Sequence, residues 1–306
     1  MKNLKLLNIH LISVLALLLL TGCSSTQAPL ENDARPTVYT SFYPMYDFAT
    51  KIAGDKAMVV NMVPSGIEPH DWEPSAADIT GLEKADLFIY NGLNMEHWVA
   101  DVLNSLENKN LIVIEASLGT NVIKDEHSHG GEEELDPHVW LGPMNAKIEL
   151  EYIKNGFVQA DPENKDYYEA NYEKYASELD SLDKEFSETL SPLLNKDIIV
   201  AHAAFGYLCE AYGLNQVAIE GLSSDSEPDP ARMAEIIEFG KGQNIKVIFF
   251  EELVSPKVAN TIAKAIGAKT DVLNPLEGLS DEQVAAGDDY FSIMRQNLKA
   301  IKSALE

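Results

Sequence analysis

The sequence is poor in cysteine, in basic residues and in long apolar runs, and each shortage excludes a class of protein. Only two cysteines occur in 306 residues, Cys23 and Cys209, too few for the disulfide framework of a small exported domain. Lysine and arginine number 23 against 49 acidic residues, which gives a formal net charge of −26. Such a chain lacks the basic face that nucleic acids require, so we expect no nucleic-acid partner.

One apolar run does occur, at the N-terminus. Two lysines precede it, and it covers the 15 residues 6–20, too short for an ordinary membrane-spanning helix. The letters LTGC follow, ending at Cys23. This pattern predicts a bacterial lipoprotein signal over residues 1–22, with the thiol of Cys23 lipidated; a plain secretory signal is the alternative. The polar stretch 23–36 predicts a flexible tether, so the body would lie outside the cytoplasm, anchored to the outer face of the cell membrane.

The rest of the chain predicts two α/β lobes. Apolar residues make up 45% and charged residues 24%, as in folded globular proteins. Apolar runs alternate with helical patterns in two similar halves, which favours parallel sheets flanked by helices. The predicted strands are 37–43, 57–63, 87–93, 111–117, 197–205, 216–220, 246–252 and 269–275. The predicted helices are 74–84, 96–106, 143–160, 230–242, 256–267 and 288–305.

Residues 161–192 predict one long helix between the halves. Asp161 can cap it, Pro162 suits its first position and Pro192 its end. Apolar residues spaced by three or four form one stripe along it: Tyr168, Tyr172, Tyr175, Leu179, Leu182 and Phe186. The helix would be a rigid strut between an N-terminal lobe over 37–160 and a C-terminal lobe over 193–306, each with its own core.

Three histidines lie where predicted strands end or helices start. His70 lies in EPHDWEPSAAD, His138 in DPHVWLGP and His202 in IVAHAAFGYL. Ligands of parallel α/β proteins gather outside the carboxyl ends of the strands, where Glu277 also falls. Intervals of 68, 64 and 75 residues exclude a local zinc finger and suit a site between lobes. Three imidazoles and a carboxylate suit Zn²⁺, although each histidine alone could be structural and Glu277 a solvated acid.

Four motifs carry a resemblance to a known family. They are PHDWEPS (69–75), DPHVWLGP (136–143), HAAFGYL (202–208) and VLNPLEGL (272–279). In this order they resemble the ZnuA- and AdcA-like zinc- and manganese-binding lipoproteins of ABC importers, over essentially the whole mature chain. The resemblance implies two lobes joined by a rigid helix, a metal in the cleft, and delivery to a membrane permease with a cytoplasmic ATPase. We further expect a monomer.

The resemblance also implies the ligands. His70, His138 and His202 match the three histidine positions, and Glu277 matches the acidic position of the AdcA-like pattern. Asp281 and Glu282 lie close enough to be alternatives for the fourth ligand. Manganese carriers usually have a glutamate at the third position, and nitrogen-rich sites favour later divalent metals, so Zn²⁺ is expected over Mn²⁺.

Further polar residues are candidates for supporting roles. Asp71, Glu73 and Asp136 are possible acceptors for ring N–H groups, or merely solvated acids. The stretch KDEHSHGGEEELD (124–136) could collect zinc weakly through His127 and His129; a solvated loop is the alternative.

Two other functions fit part of the pattern. A metallohydrolase would need an open coordination position and a base such as Glu251 or Glu252, whereas four protein ligands close the first shell, so we expect no enzyme. An adhesin would hold the metal structurally and bind its partner without it.

Overall fold

The computed structural model describes residues 35–125, 134–222 and 230–306. The predicted signal, the lipidation site Cys23 and the loop residues His127 and His129 lie outside the described residues. In the described part of the chain, no helix is both long enough and apolar enough to span a bilayer.

The N-terminal lobe contains a parallel four-stranded sheet in the order β2-β1-β3-β4. Its strands end earlier than predicted: the segment expected as strand 37–43 turns after Thr40, and a helix with proline in its first turn starts at Tyr43. The elements are β1 (Thr37–Thr40), α1 (Tyr43–Ala53), β2 (Met58–Asn61), α2 (Ala76–Leu82), β3 (Leu87–Tyr90), α3 (Val99–Ser105), β4 (Ile112–Glu115), β5 (Lys124–Asp125), β6 (Glu134–Leu135) and α4 (Pro143–Ala160). The short strands β5 and β6 pair antiparallel where only a loop was expected.

The long helix, α5, spans Lys165–Leu190 after a single 3₁₀ turn at Pro162–Asn164. Its buried residues include four of the six predicted stripe positions: Tyr168, Leu179, Leu182 and Phe186. The other two, Tyr172 and Tyr175, are half-buried against the same core. The stripe faces the protein interior along nearly the whole helix, which is why α5 joins the lobes rather than projecting into solvent.

The C-terminal lobe repeats the topology of the first. Its parallel sheet has the order β10-β9-β7-β8, so in each lobe the first strand lies between the second and the third. The elements are β7 (Asp197–Val200), α6 (Gly206–Tyr212), β8 (Asn215–Ala218), α7 (Pro230–Gly242), β9 (Val247–Phe250), α8 (Lys257–Ile266), β10 (Lys269–Val272), α9 (Asp281–Ala286) and α10 (Tyr290–Leu305). The matching order confirms the two predicted halves.

Each lobe has a core of its own, as expected, and the described residues also form a larger core shared by both. One cluster, with Phe88 and Trp98, belongs to the first lobe, and another, with Ile248 and Ile262, to the second. The shared cluster runs from Val38 of the first sheet through the buried face of α5 to side chains of the second sheet and α10. Burial across this seam fixes the lobes against each other.

Candidate metal centre

The fold brings the four predicted ligands to one place between the lobes. His70 lies in the loop between β2 and α2, and His138 directly precedes the 3₁₀ turn Val139–Leu141. His202 follows β7, and Glu277 follows β10. Each lobe thus contributes two side chains from loops near strand ends or helix starts, which is where parallel α/β folds place ligand-binding groups.

The four candidate ligand atoms all lie within 4.8 Å of one another, and five of their six separations are 3.1–3.3 Å. Glu277 Oε1 is 3.3 Å from Nε2 of His70, 3.1 Å from that of His138 and 3.2 Å from that of His202. The Nε2 atom of His138 is 3.3 Å from that of His70 and 3.3 Å from that of His202. These four atoms form a compact cage, which is the group of described residues able to hold a metal ion.

The cage has the dimensions of a zinc site. Four ligands at about 2.0–2.1 Å from a tetrahedral Zn²⁺ lie about 3.3–3.4 Å from one another. The observed separations of 3.1–3.3 Å are close to those edges. His138 and His202 are completely buried, Glu277 is 1% exposed, and the side chain of His70 is 10% exposed. The donors therefore suit Zn²⁺ without a large rearrangement.

Two carboxylates hold the buried imidazoles from behind. Asp136 Oδ1 lies 2.8 Å from Nδ1 of His138, and Glu251 Oε1 lies 2.7 Å from Nδ1 of His202. A hydrogen on each Nδ1 leaves the Nε2 lone pair facing the cage, and the nearby charge raises the basicity of the ring. Asp136 was predicted as such an acceptor. Glu251 was considered only as a hydrolase base, although its position just after β9 could have suggested a role beside the site.

The electrostatics of the cage shift the pKa values of His138, His202 and Glu277 toward their charged forms. Burial lowers the pKa of His202, but Glu251 and Glu277 outweigh burial and hold that pKa well above its ordinary value. The pKa of His138 is also raised, since its bonds to Asp136 and Glu277 outweigh burial. Burial raises the pKa of Glu277, yet the charge of His202 and the histidine hydrogen bonds lower it well below the ordinary range. A divalent cation can replace these protons.

The loop that carries Glu277 is held in an unusual backbone conformation. Leu276 has a φ of 61°, which is uncommon for a residue other than glycine. Its N–H donates to Asn274 Oδ1 at 2.7 Å, and Asn297 of α10 exchanges hydrogen bonds with the backbone of Asn274. Trp140 Nε1, from the other lobe, donates to Pro275 O at 2.8 Å. These bonds fix the direction in which Glu277 leaves the backbone.

The remaining candidates lie elsewhere. Asp281 and Glu282 are exposed in the first turn of α9, where Ser280 and Gln283 form a capping box, so the cage takes its carboxylate from Glu277. Glu73 pairs with the exposed His97 at 3.6 Å rather than with a cage histidine. In the same loop as Glu73, Trp72 packs edge-to-face on Trp98 of the first lobe, with ring centroids 5.5 Å apart.

Comparison with known proteins places the chain in a family. Residues 38–304 match the model of the ZnuA family, described as the periplasmic component A of the zinc-uptake complex. The chain belongs to the ZnuA family. Among its relatives is the high-affinity zinc uptake system protein ZnuA of Bacillus subtilis, 44% identical over 305 residues that cover 94% of each chain. The zinc-binding lipoprotein AdcA of Streptococcus pneumoniae is 42% identical over 97% of this chain, which spans 60% of the length of AdcA.

Solved structures of ZnuA relatives share the fold. The Zn(II)-bound ZnuA-like domain of S. pneumoniae AdcA is 43% identical, with a TM-score of 0.78 over 89% of this chain and 99% of that domain. The laminin-binding protein Lmb of Streptococcus agalactiae, described as bifunctional with adhesin and metal-transporting activity, is 33% identical, with a TM-score of 0.79 over 89% of this chain and all of that one. Both confirm the predicted architecture of two lobes and a long helix.

Proposed function

We propose that this chain captures Zn²⁺ outside the cytoplasm, in the cage of His70, His138, His202 and Glu277, and delivers it to an ABC permease with a cytoplasmic ATPase. The observation that carries the proposal is that three Nε2 atoms and one carboxylate oxygen lie within 4.8 Å of one another, with five of their six separations at 3.1–3.3 Å. Membership of a family of zinc-uptake components supports the same conclusion.

The donor set favours zinc over manganese as the cargo. Three nitrogens and one oxygen at tetrahedral spacing suit Zn²⁺, whereas Mn²⁺ prefers oxygen-rich and usually octahedral surroundings. Four protein ligands also leave no open position for a substrate, so capture and release fit the site better than hydrolysis.

The test is isothermal titration calorimetry of the purified chain with Zn²⁺. We expect one high-affinity site per chain, and a loss of affinity of at least about 100-fold in His202→Ala, because one of four ligands is removed. The matched control is His97→Ala, which removes an exposed histidine outside the cage and should leave the affinity unchanged. Undiminished stoichiometric binding in His202→Ala would sink the proposal.

The finer parts of the proposal concern attachment and assembly. Lipid on Cys23 would anchor a monomer to the outer face of the membrane, and His127 and His129 would form an auxiliary zinc-collecting loop. In Cys23→Ala the protein should leave the membrane fraction, and the purified chain should have the mass of a monomer by light scattering. A change of His127 and His129 to Ala should leave the high-affinity site intact.

A second function, adhesion, is favoured by the likeness to the laminin-binding protein Lmb. If the chain is an adhesin with a structural metal, it should bind a laminin-coated surface. That binding should survive His70→Ala, whereas zinc capture should not.

A further inference from the structure

A small cavity with carboxylate walls lies next to the metal cage. It has a volume of about 10 Å³, roughly that of one water-sized sphere. Its lining includes Glu277 and three other acidic residues, Glu68, Glu251 and Glu252. These acids come from three separate loops of both lobes, so the fold rather than the local sequence brings them together.

In three of these acids, one carboxyl oxygen contacts a cage residue and the other makes no hydrogen bond with the described residues. Glu277 Oε1 faces the histidines, Glu251 Oε1 accepts from His202 Nδ1, and Glu68 Oε1 accepts from the backbone N–H of His70 at 3.3 Å. The Oε2 atoms of the same three acids are buried and have no hydrogen-bond partner among the described residues. Buried carboxylate oxygens without donors are costly, and the three residues that carry them all line this one cavity, which indicates that a cation visits it.

The four acidic side chains also differ in depth. Glu252 is exposed, and its Oε2 is held by the side-chain amides of Asn274 and Gln283, the latter at 2.7 Å. Glu68 is half-buried, while Glu251 is 3% and Glu277 1% exposed. Oxygen ligands are thus available at each depth from solvent to the carboxylate that completes the cage.

We propose that this cavity is the port through which Zn²⁺ enters and leaves the cage. Glu252 and Glu68 replace waters of the incoming ion, Glu277 Oε2 receives it, and Glu277 Oε1 is already in contact with the histidines. Carboxylates that line a cleft concentrate cations and speed their association. The proposal rests on the proposed function, in which zinc is the cargo, and adds the route that the ion takes. The alternative route passes the partly exposed edge of His70.

The experiment compares binding rates in Glu252→Gln and in the double variant Glu68→Gln/Glu252→Gln with those of the wild type. The matched control, Asp281→Asn/Glu282→Gln, removes two exposed charges near Glu277 without touching the cavity lining. Stopped-flow mixing with Zn²⁺ is followed by tryptophan fluorescence, to which Trp140 contributes with its ring 5.3 Å from that of His138. Zinc-dependent thermal melts of all variants check folding.

A port lowers the free-energy barrier to both association and dissociation of Zn²⁺, so its loss should slow both steps. We expect the association rate of the double variant to fall at least about threefold, with the dissociation rate falling in step and the control staying within about 1.5-fold of the wild type. Unchanged rates would overturn the port. So would faster dissociation with unchanged association, which would show that Glu68 merely supports His70. Absence of zinc binding by the wild type would instead remove the proposed function itself.

Discussion

At the scale of single residues, the cage depends on carboxylates that do not point into it. Asp136 Oδ1 accepts both the backbone N–H of His138, at 2.9 Å, and its ring N–H. Glu251 engages His202 in the same way. Both acids are almost completely buried, so their charge acts on the imidazoles through a medium of low polarizability.

Asp136→Asn should weaken zinc binding by about 10–100-fold, because the amide can still accept a hydrogen bond but no longer raises the basicity of His138. Competition with a zinc chelator of known affinity measures the change. Asp101→Asn, on the exposed face of α3, should leave the affinity unchanged. Equal affinities in Asp136→Asn and the wild type would show that the charge of Asp136 does not matter to the metal.

The sequence could identify the cage residues but not all of their supports. His70, His138, His202 and Glu277 lie in distinctive motifs, and strand ends locate them near a common edge. Nothing local marks Glu251 as the partner of His202, because the contact depends on β9 lying beside β7 in the sheet. The sheet topology decides which strands are neighbours, and the pattern of predicted strands does not determine that topology.

At the scale of elements, two helices that start with proline were predicted with their observed bounds, whereas α1, which has proline in its first turn, was not predicted as a helix. Both α4 and α7 have the predicted bounds, since proline fixes the first turn of each. Strands were predicted too long, as in 87–93, where Leu93 and Asn94 have positive φ and turn the chain after Tyr90. Apolar residues continue past the turn because the loop is buried. A pattern of apolar residues therefore does not show where a strand ends.

Helix α4 contains a buried acid, Glu149, that forms no ion pair within the part of the chain that the structure describes. Glu149 is completely buried, and neither side-chain oxygen has a hydrogen-bond partner among the described residues. Burial, assisted by the charge of Glu96, raises the pKa of Glu149 well above its ordinary value of 4.5. The folded chain therefore holds this proton more tightly than the unfolded chain, and stability is lost as pH rises above about 4.5 toward the pKa of the folded state.

Glu149→Gln should consequently match the wild type in stability near pH 4 and exceed it increasingly toward pH 8. Urea unfolding at several pH values measures the difference in the free energy of unfolding. Glu151→Gln, an exposed change on the same helix, should show no such trend. A difference that does not grow with pH would mean that Glu149 is paired or hydrated in solution.

Helix α5 contributes to the core that both lobes share. Phe186 is completely buried in that core, so Phe186→Ala should lower the free energy of unfolding by about 3–5 kcal/mol. Because the shared core connects the lobes, we expect a single unfolding transition in the wild type and in Phe186→Ala. Circular dichroism and tryptophan fluorescence measure that transition. Two separated transitions would indicate lobes that unfold independently.

At the scale of the whole molecule, the lobes are fixed in the arrangement that brings the four cage side chains together. Tyr290 of α10 donates to Trp140 O at 2.7 Å, and Tyr207 donates to Asp136 O at 2.7 Å, so the His138 loop is tied to the second lobe on both sides. The shared core adds burial across the same seam. A preformed cage loses little ordering entropy on binding, which favours high affinity.

The same preformed cage makes zinc binding dependent on pH. In the metal-free chain the pKa values of His138 and His202 are raised, so Zn²⁺ must displace protons even near neutrality. The pKa of Glu277 is lowered, so this ligand stays ionised and adds no slope until acid pH. Zinc affinity should therefore fall as pH falls from 8 to 5, by up to about tenfold per pH unit for each proton displaced. Calorimetry in buffers with different ionisation enthalpies counts those protons, and an affinity that is constant over this range would contradict a histidine cage.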